Sequence, residues 1–484
     1  MANKAHSSLT AKIETLKTHL RYGQHVLAEN KIRQLDPKEL APYPKLLSDY
    51  LQIQGLINES KNDHLGAVKH YSLSIKLDCN TAIIDNLLTA CIKTGSFRQA
   101  IETIKTHAPK SAIADSHLLK LAHCYHMLGD ADVAKSLIES VLIKDPLNPV
   151  ALALKSELLL ADYKFYDAKQ AILLINENEE HLNSKLKLLG QYYSGIREFK
   201  KAEEIYEKLA RRVETNSIFE INLGVVFHSQ GQYKKAKDHF RQALQLILDE
   251  GIAQRLKPHT PKSKTEVIET LEHIHSTFSK LNIPFFLVAG TFLGIYRDGS
   301  LIKGDKDIDI AVPWDVPRKK LLDLLAPFGF LSLPLTDSEP LWCAPVVDKN
   351  TKVSVDIFFA KNAESHIELG VDYTPPLVWS LPKFKLTKVK YNNREYLAPD
   401  PAEQYLEAFY GSGWNTPSSY CAVLRGNALK NREHEGSLAF GYYRLAKLIQ
   451  SGDYPKALKY LTQIEDKTND LLLRKLKTAL DQIK

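Results

Sequence analysis

The chain has 484 residues, more than a single hydrophobic core usually organises, so two or more domains are expected. Its 44% hydrophobic and 25% charged residues are typical of an ordinary globular protein. The net charge of +7 is modest, and no basic stripe with interleaved aromatic residues is present, so no nucleic-acid partner is expected.

The number and spacing of the cysteines and the distribution of apolar residues indicate the cellular compartment of the protein. The cysteines are odd in number and scattered, which argues against a disulfide framework or a structural zinc site; they are Cys79, Cys91, Cys124, Cys343 and Cys421. The first residues lack the apolar stretch of a secretory signal, and no window approaches the roughly 18 apolar residues of a membrane span. We therefore expect a cytoplasmic protein without a membrane span, with peripheral association at the inner face of the membrane as a further option.

The first half of the chain repeats itself with a period of 34 residues. The repeat is marked by alanines, often preceded by an aromatic residue at the third position and a glycine at the fifth; the alanines are Ala67, Ala100, Ala134, Ala168, Ala202 and Ala236. A small residue lets two helices cross closely, and glycine ends a helix. The period resembles the tetratricopeptide repeat, a pair of antiparallel helices per unit. We predict an all-α superhelical array over residues 1–248 that binds a protein partner or another copy of the chain, with a role as a mere spacer as the alternative.

The repeat stops after residue 248. Pro258 and Pro261 stand among polar residues and indicate a linker over residues 249–264. Apolar residues at helical spacing then predict a helix from about Thr265 to Leu281.

A strand, a tight turn and a helix are predicted next. Phe285–Val288 is an apolar strand, Gly290 permits a sharp exit from it, and Thr291 is the predicted N-cap of the helix. A glycine and a hydroxyl residue at a helix N-terminus are expected to offer free backbone N–H groups at the positive end of the helix dipole. Such a turn suits a phosphate.

Carboxylates recur at alternate positions in the following segment, at Asp305, Asp307 and Asp309. Residues two apart on a strand share a face, so Asp307 and Asp309 are predicted to project together while Ile308 and Ile310 are buried on the other side. Two acidic groups this close repel each other unless a cation lies between them. Mg²⁺ prefers such a site, with waters and substrate phosphates completing its shell.

A third carboxylate, Asp356, lies on another predicted strand, Lys352–Phe359, in an otherwise apolar pattern. A carboxylate there is costly unless a metal or a hydrogen-bond partner compensates it. An EF-hand is excluded because Ile310 occupies the position of its glycine, and neither of the common glycine-rich phosphate loops is present. A solvated acidic edge strand is the remaining structural alternative.

The string from Ala289 to Ile310 resembles the LicD/fukutin-related family, which has the nucleotidyltransferase fold. The family typically has Gly-Thr-Leu-Leu-Gly, then an arginine, then Asp-x-Asp-x-Asp and a hydrophobic residue. The segment Tyr405–Pro417 is similar to its Tyr-Gly-x-x-Trp-x-x-Pro element, so the match spans roughly residues 266–420. One departure is Lys303-Gly304, where the family usually has Pro-Trp, and for this reason the substrate is not carried over.

The resemblance implies an α+β catalytic domain over residues 265–435 with Mg²⁺ (or Mn²⁺) as cofactor. By this resemblance, Asp307 and Asp309 would bind the metal that bridges the diphosphate of the donor. Asp356 would be a third ligand or the base that takes a proton from the acceptor hydroxyl. Asp305 is a candidate for supporting these ligands or for binding a second metal.

The resemblance also implies the reaction. A phosphocholine or polyol-phosphate type of group would pass from a CDP-linked donor to a sugar hydroxyl of a cell-surface glycan. Gly290 and Thr291 would hold a phosphate, and Arg297 would neutralise charge on the leaving nucleotide. The alternatives are a nucleotidyltransferase that acts on a nucleoside triphosphate and releases pyrophosphate, and a non-catalytic tetratricopeptide scaffold.

A repeat-like helical hairpin is predicted over residues 436–484. Gly452, Tyr454 and Ala457 reproduce the spacing of the array unit that contains Ala236. We expect this hairpin to be a closing cap that packs on the catalytic domain or on the array.

Overall fold

The computed structural model describes residues 2–252, 264–302, 307–332, 341–417 and 422–482. Among these residues, no helix has both the length and the apolar character needed to cross a membrane. The helices are α1 (Ala2–Arg21), α2 (His25–Ile32), α3 (Pro37–Leu40), α4 (Pro44–Ser60), α5 (His64–Ser74), α6 (Thr81–Thr94), α7 (Phe97–His107), α8 (Asp115–Met127), α9 (Ala131–Lys144), α10 (Pro149–Ala161), α11 (Phe165–Leu174), α12 (Glu179–Gly195), α13 (Phe199–Ala210), α14 (Ser217–Ser229), α15 (Tyr233–Asp249), α16 (Lys264–Leu281), α17 (Ala289–Asp298), α18 (Arg318–Leu325), α19 (Ala402–Tyr410), α20 (Ala422–Arg425), α21 (Glu435–Gln450), α22 (Tyr454–Glu465) and α23 (Leu471–Asp481). The strands are β1 (Phe286–Leu287), β2 (Asp307–Pro313), β3 (Phe330–Ser332), β4 (Cys343–Asp348), β5 (Ser354–Asn362), β6 (His366–Val371), β7 (Leu377–Pro382), β8 (Lys385–Tyr391) and β9 (Arg394–Asp400).

The helices from α4 to α15 confirm the predicted array, because they pair as consecutive hairpins joined by short turns. All the marker alanines lie in the second helix of a pair and are 0% exposed; they are Ala67, Ala100, Ala134, Ala168, Ala202 and Ala236. A larger side chain at these positions would separate the two helices of a unit.

Close helix crossings also explain the glycines of the first helices. A Cβ atom on Gly55 would lie 2.3 Å from the ring of Tyr71, and one on Gly190 would lie 2.7 Å from the ring of Tyr206. Since real Cβ atoms do not approach other atoms so closely, only glycine lets the aromatic ring of the second helix reach the backbone of the first.

The turn inside each hairpin has a left-handed residue. Gly95 has φ of 73° and ends α6. In other units Asn62, Tyr163 and Arg197 occupy the same position with φ of 60°, 60° and 61°. The turn geometry therefore follows from hairpin packing and does not require glycine in every unit.

The predicted catalytic domain is built on one sheet with the strand order β3-β4-β5-β2-β1-β9-β8, and β6 pairs with β5 and β7. The pairs β2–β5 and β1–β9 are parallel, whereas the other described pairs are antiparallel. Ile308 and Ile310 are 0% exposed and share a core with Leu271 and Ile274 of α16. The apolar side of β2 is thus buried, as predicted, and it packs against a helix.

The C-terminal helices pack on the array. Ala446 and Ile449 of α21 share one core with Ala243 and Leu244 of α15, and all four are 0% exposed. Most of the predicted linker, residues 253–263, lies outside the described residues.

Helix α21 does not run in the direction that the first helix of a further tandem repeat would take. A Cβ on Gly436, at the start of α21, would lie 2.9 Å from the ring of Tyr233 at the start of α15. The hydroxyl of Tyr454, after α21, donates to the carbonyl oxygen of Ile252, after α15, at 3.1 Å. Helix α21 therefore runs parallel to α15, whereas the first helix of a next repeat would run antiparallel to it, because short turns make consecutive helices of an array antiparallel.

Asp470 ties the C-terminal helices to the array. Its carboxylate accepts from Arg241 Nε at 2.7 Å and Nη2 at 3.0 Å, and from the hydroxyl of Tyr442 at 2.8 Å. It also accepts the N–H of Leu472 at 3.0 Å and so caps α23. Burial raises the pKa of Asp470, but the hydrogen bonds from Arg241, Leu472 and Tyr442 outweigh it, so the pKa lies below its ordinary value.

We predict that Asp470→Ala lowers the free energy of unfolding by about 2–4 kcal/mol at pH 7, since Arg241 and Tyr442 lose a charged partner. The difference from wild type should shrink below about pH 4, where Asp470 becomes protonated in the unfolded chain and then in the folded protein. Urea denaturation at several pH values measures both effects.

The control is Lys477→Ala, which breaks the partly exposed Lys477–Glu465 ion pair of 3.0 Å. It should cost less than about 1 kcal/mol. Equal losses in the two variants would contradict the anchoring role of Asp470.

Candidate active site

The predicted carboxylates lie on two neighbouring parallel strands. Asp309 on β2 is aligned with Asp356 on β5, and Asp307 is aligned with Ser354. Aligned residues of paired strands share a face, as do residues two apart on one strand. The structure therefore brings Asp307, Asp309 and Asp356 to one face of the sheet.

Electrostatic repulsion is evident at this face. Burial raises the pKa of Asp356 to about 7, and the negative charge of Asp307 contributes to the rise. A cation bound between these groups would relieve the repulsion.

The carboxylates supply only some of the ligands that a metal ion needs. Within the described ranges, no group of three or more His, Cys, Asp or Glu side chains is placed so that it could hold one metal ion. Mg²⁺ commonly takes one or two carboxylates from the protein and completes its shell with waters and substrate phosphates. The donor set fits such an arrangement, and the metal assignment stays a prediction. Asp305 lies outside the described residues, as do Lys303 and Gly304.

The turn after β1 orients Asp309. The N–H of Gly290 donates to Asp309 Oδ2 at 2.8 Å, and the N–H of Asp309 donates to the hydroxyl of Thr291 at 2.8 Å. Ala289 has φ of 43°, a strained value for a residue with a Cβ, and its N–H donates to the hydroxyl of Tyr405 at 3.0 Å. These hydrogen bonds hold the turn and the carboxylate in one arrangement.

Two expectations for this turn are wrong. Helix α17 begins at Ala289 with Val288 as N-cap, so Thr291 is not the N-cap, and its hydroxyl binds the backbone of Asp309. The N–H groups at the Gly290–Thr291 turn were expected to be free, but the N–H of Gly290 donates to Asp309 inside the protein. A phosphate-binding role for Gly290 and Thr291 stays a prediction, and it requires Gly290 to exchange a carboxylate for a phosphate oxygen.

Arg297 lies in the last turn of α17. Its Nε and Nη2 donate to the two carboxylate oxygens of Asp298, each at 2.8 Å, and its Nη1 donates to the carbonyl oxygen of Trp414 at 3.2 Å. The guanidinium thus ties α17 to the loop after α19, and no described contact joins it to the three carboxylates. Its role toward the leaving nucleotide stays a prediction.

Cys343 and Asp372 also lie at this site, although neither was among the predicted site residues. Cys343 is aligned with Phe358, two residues from Asp356 on the same face. Burial, followed by the charge of Asp356, raises the pKa of the Cys343 thiol well above its ordinary value. Asp372 accepts the N–H groups of residues 341, 342 and 343 at 2.9, 3.0 and 3.2 Å and so fixes the start of β4. No sequence signal marks these residues, because their proximity to the carboxylates arises only when β4 pairs with β5.

We predict that the metal-free protein loses stability as the pH rises from about 4 to about 7. Asp356 loses its proton in the unfolded chain at about pH 3.9, but in the folded protein only near its raised pKa of about 7. Asp356→Asn removes this contribution, so the variant should be more stable than wild type at pH 8 in the presence of a chelator. Thermal melts from pH 4 to pH 8 measure the effect.

Asp323→Asn is the matched control, because Asp323 is an exposed carboxylate on α18. Its stability profile should run parallel to that of wild type. If the stability of Asp356→Asn changed with pH in the same way as that of wild type, Asp356 would not be the group that causes the loss of stability.

Comparison with known proteins agrees with this geometry. Residues 282–399 match the family described as LicD/FKTN/FKRP, nucleotidyltransferase domain. Residues 221–249 match a tetratricopeptide repeat.

Curated relatives include proteins named ribitol-5-phosphate transferase FKTN. The Homo sapiens protein is 28% identical over 196 residues, which cover 38% of this chain and 39% of the relative. The Macaca fascicularis protein is 29% identical over 196 residues with the same coverage of 38% and 39%. The Mus musculus protein is 28% identical over 156 residues, which cover 31% of this chain and 33% of the relative. The chain therefore spans less than two fifths of the length of these relatives.

Among solved structures, a tetratricopeptide repeat protein from Parabacteroides merdae matches with a TM-score of 0.43 and 15% identity, over 50% of this chain and 93% of that one. Pseudomonas aeruginosa pilF matches with a TM-score of 0.30 and 13% identity, over 51% of this chain and 94% of that one. The resemblance noted in the sequence is confirmed by the family matches: the chain carries a LicD/FKTN/FKRP nucleotidyltransferase domain at residues 282–399, preceded by tetratricopeptide repeats.

Proposed function

We propose that this protein transfers a phosphocholine or polyol-phosphate type of group from a CDP-activated donor to a sugar hydroxyl of a cell-surface glycan. The observation that carries the proposal is the alignment of Asp309 with Asp356 on parallel strands, with Asp307 on the same face. The relatives are named for ribitol-5-phosphate transfer, which supports the class of group that is moved.

In this proposal Asp307 and Asp309 hold Mg²⁺ or Mn²⁺, which when bound neutralises the diphosphate of the donor. The oxygen of the acceptor hydroxyl bonds to the phosphorus of the transferred group. The bond from that phosphorus to the CMP oxygen breaks, and CMP leaves with the electron pair. Asp356 either takes the proton of the hydroxyl or completes the ligand set, and in the second case the proton passes to water.

Rigid placement of Asp309 supports this chemistry. Its carboxylate and its backbone N–H both bind the turn after β1, through Gly290 and Thr291. Because phosphoryl transfer depends mainly on positioning and electrostatic stabilisation, a carboxylate fixed in advance lowers the reorganisation needed in the transition state.

The repeats are proposed to recruit a protein partner, the acceptor or another copy of the chain. Part of the array already holds the catalytic domain: Lys352 Nζ lies 3.1 Å from Asp162 Oδ1, and the N–H of Thr374 donates to the hydroxyl of Tyr233. Recruitment is therefore assigned to the units before Asp162.

We predict that CMP is released when the protein is incubated with Mg²⁺, a sugar acceptor and a panel of CDP-ribitol, CDP-glycerol and CDP-choline, monitored by mass spectrometry. Asp307→Asn and Asp309→Asn should each lower turnover by roughly 10²–10³-fold or more, since both are placed at the metal. A chelator should abolish turnover in wild type.

Asp323→Asn serves again as the exposed-carboxylate control and should keep wild-type turnover. Release of pyrophosphate from a nucleoside triphosphate would favour the nucleotidyltransferase alternative. Folded Asp307→Asn and Asp309→Asn variants with full turnover would contradict the assignment of the site.

The two roles of Asp356 predict different kinetics for Asp356→Asn, although kcat should fall in both. As a ligand, Asp356 contributes to metal affinity, so the Mg²⁺ concentration for half-maximal rate should rise by roughly tenfold or more. As the base, it leaves Mg²⁺ dependence unchanged, and its loss removes the rise of kcat with pH. Wild-type kcat and Mg²⁺ dependence together would exclude both roles.

A further inference from the structure

One edge of the array exposes large apolar side chains. Ile143, Leu147 and Val150 are 81%, 62% and 50% exposed, and Leu173 and Leu174 are 52% and 55% exposed. We call these five residues the outer patch. Contiguous apolar surface of this kind is uncommon on a monomeric protein and marks a contact with another molecule.

The residues of the outer patch lie together because of the way the helices are connected. Ile143 is near the end of α9, Leu147 lies in the turn that follows, and Val150 is near the start of α10. Helices α10 and α11 form an antiparallel hairpin, so the start of α10 lies beside the end of α11, where Leu173 and Leu174 are found. The patch therefore covers one end of this hairpin and the adjoining end of α9.

The sheet-containing domain is attached to the other end of the same hairpin. The ion pair of 3.1 Å between Lys352 and Asp162 joins this domain to the turn that follows α10. Helix α10 has 13 residues, so its two ends are about 20 Å apart. A partner at the outer patch would therefore bind at the opposite end of the hairpin from this contact.

Lysines next to the outer patch are paired with acidic side chains of the chain itself. Lys144 Nζ lies 2.7 Å from Asp115 Oδ1, and Lys155 Nζ lies 2.8 Å from Glu139 Oε1. An anionic membrane surface attracts apolar residues that are accompanied by unpaired cations. Because these cations are already neutralised, a protein surface matches the patch better than a membrane does.

The two flanks of the outer patch carry opposite charges. On one flank, Lys110 is exposed between α7 and α8. On the other flank, Glu179 and Glu180 are exposed in the first turn of α12. Both flanks lie on the same edge of the array as the turn between α9 and α10, one unit before it and one unit after it. The patch is therefore apolar at its centre, basic on one side and acidic on the other.

We propose that the outer patch is the interface of an antiparallel, two-fold symmetric dimer of this chain. In such a dimer the patch faces itself, and the flank before it in one copy meets the flank after it in the other. With the axis at Leu147, apolar residues of the two copies pack together, and Lys110 of each copy faces Glu179 and Glu180 of the other. A parallel arrangement would set each flank against its own like charge. The inference rests on the proposed role of the repeats, and it selects another copy of the chain as their partner.

Sedimentation velocity on the full chain over a series of concentrations tests the proposal. Wild type is expected to reach twice the mass of one chain, which is 54.7 kDa. Leu147→Lys places like charges at the axis and should raise the Kd of the dimer roughly tenfold or more. The matched control is Leu471→Lys, which changes a leucine of similar exposure on α23 and should leave the Kd unchanged.

Charge reversal tests the antiparallel orientation. Lys110→Glu sets acidic groups against Glu179 and Glu180 of the other copy and should raise the Kd roughly tenfold. Combining it with Glu179→Lys and Glu180→Lys should restore the wild-type Kd, because the flanks again carry opposite charges. Such a restoration requires contact between the two flanks, and its absence in folded variants would overturn the proposal.

Thermal melts verify that each variant is folded. Wild type that sediments as a single chain at every concentration, or a dimer that Leu147→Lys leaves intact, would overturn the proposal. Binding of a monomeric wild type to vesicles of phosphatidylcholine and phosphatidylserine, with loss of binding in Leu147→Lys, would overturn it in favour of a membrane. CMP release is measured separately, so that failure of the transferase function is distinguished from failure of the dimer.

Discussion

Repulsion between carboxylates on one face of the sheet is the constraint around which the proposed catalytic domain is organised. Asp309 and Asp356 are aligned on adjacent strands, and the pKa of Asp356 is raised to about 7 by burial and by Asp307. Such an arrangement costs stability and persists only where surrounding structure enforces it. Here the enforcement comes from isoleucines buried on the opposite face, including Ile308, and from the Gly290 turn, which binds Asp309.

Packing between distant segments also fixes the parts of the chain that precede and follow this domain. The sheet-containing domain lies between α15 and α21 in the chain, and the chain returns to the array with α21 parallel to α15. The last array units and the C-terminal helices share one core, which also includes Leu424 of the catalytic domain. Because these parts bury apolar surface together, the position of the domain on the array is defined.

Periodic features were predictable because they depend on local spacing. The alanine period identified the helical hairpins, and alternation on the strand placed Asp307 and Asp309 on one face. Hydrogen bonds at the turn were less predictable: Thr291 has the chemistry of an N-cap, but its hydroxyl is taken by the Asp309 backbone. Tyr405 was noted only as part of a family element, although its hydroxyl accepts the N–H of Ala289. Both contacts join residues far apart in the chain, which no local pattern encodes.

The sequence by itself determined the repeat architecture, the strand that carries the paired aspartates and the family of the catalytic domain, because each follows from residue types at short, regular spacing. Only the tertiary structure decided which N–H groups of the turn are occupied, that Cys343 lies beside Asp356, and that α21 runs parallel to α15. These outcomes depend on strand pairing and on packing between distant segments. Their free energies are sums over many contacts, and the order of residues along the chain does not reveal those sums.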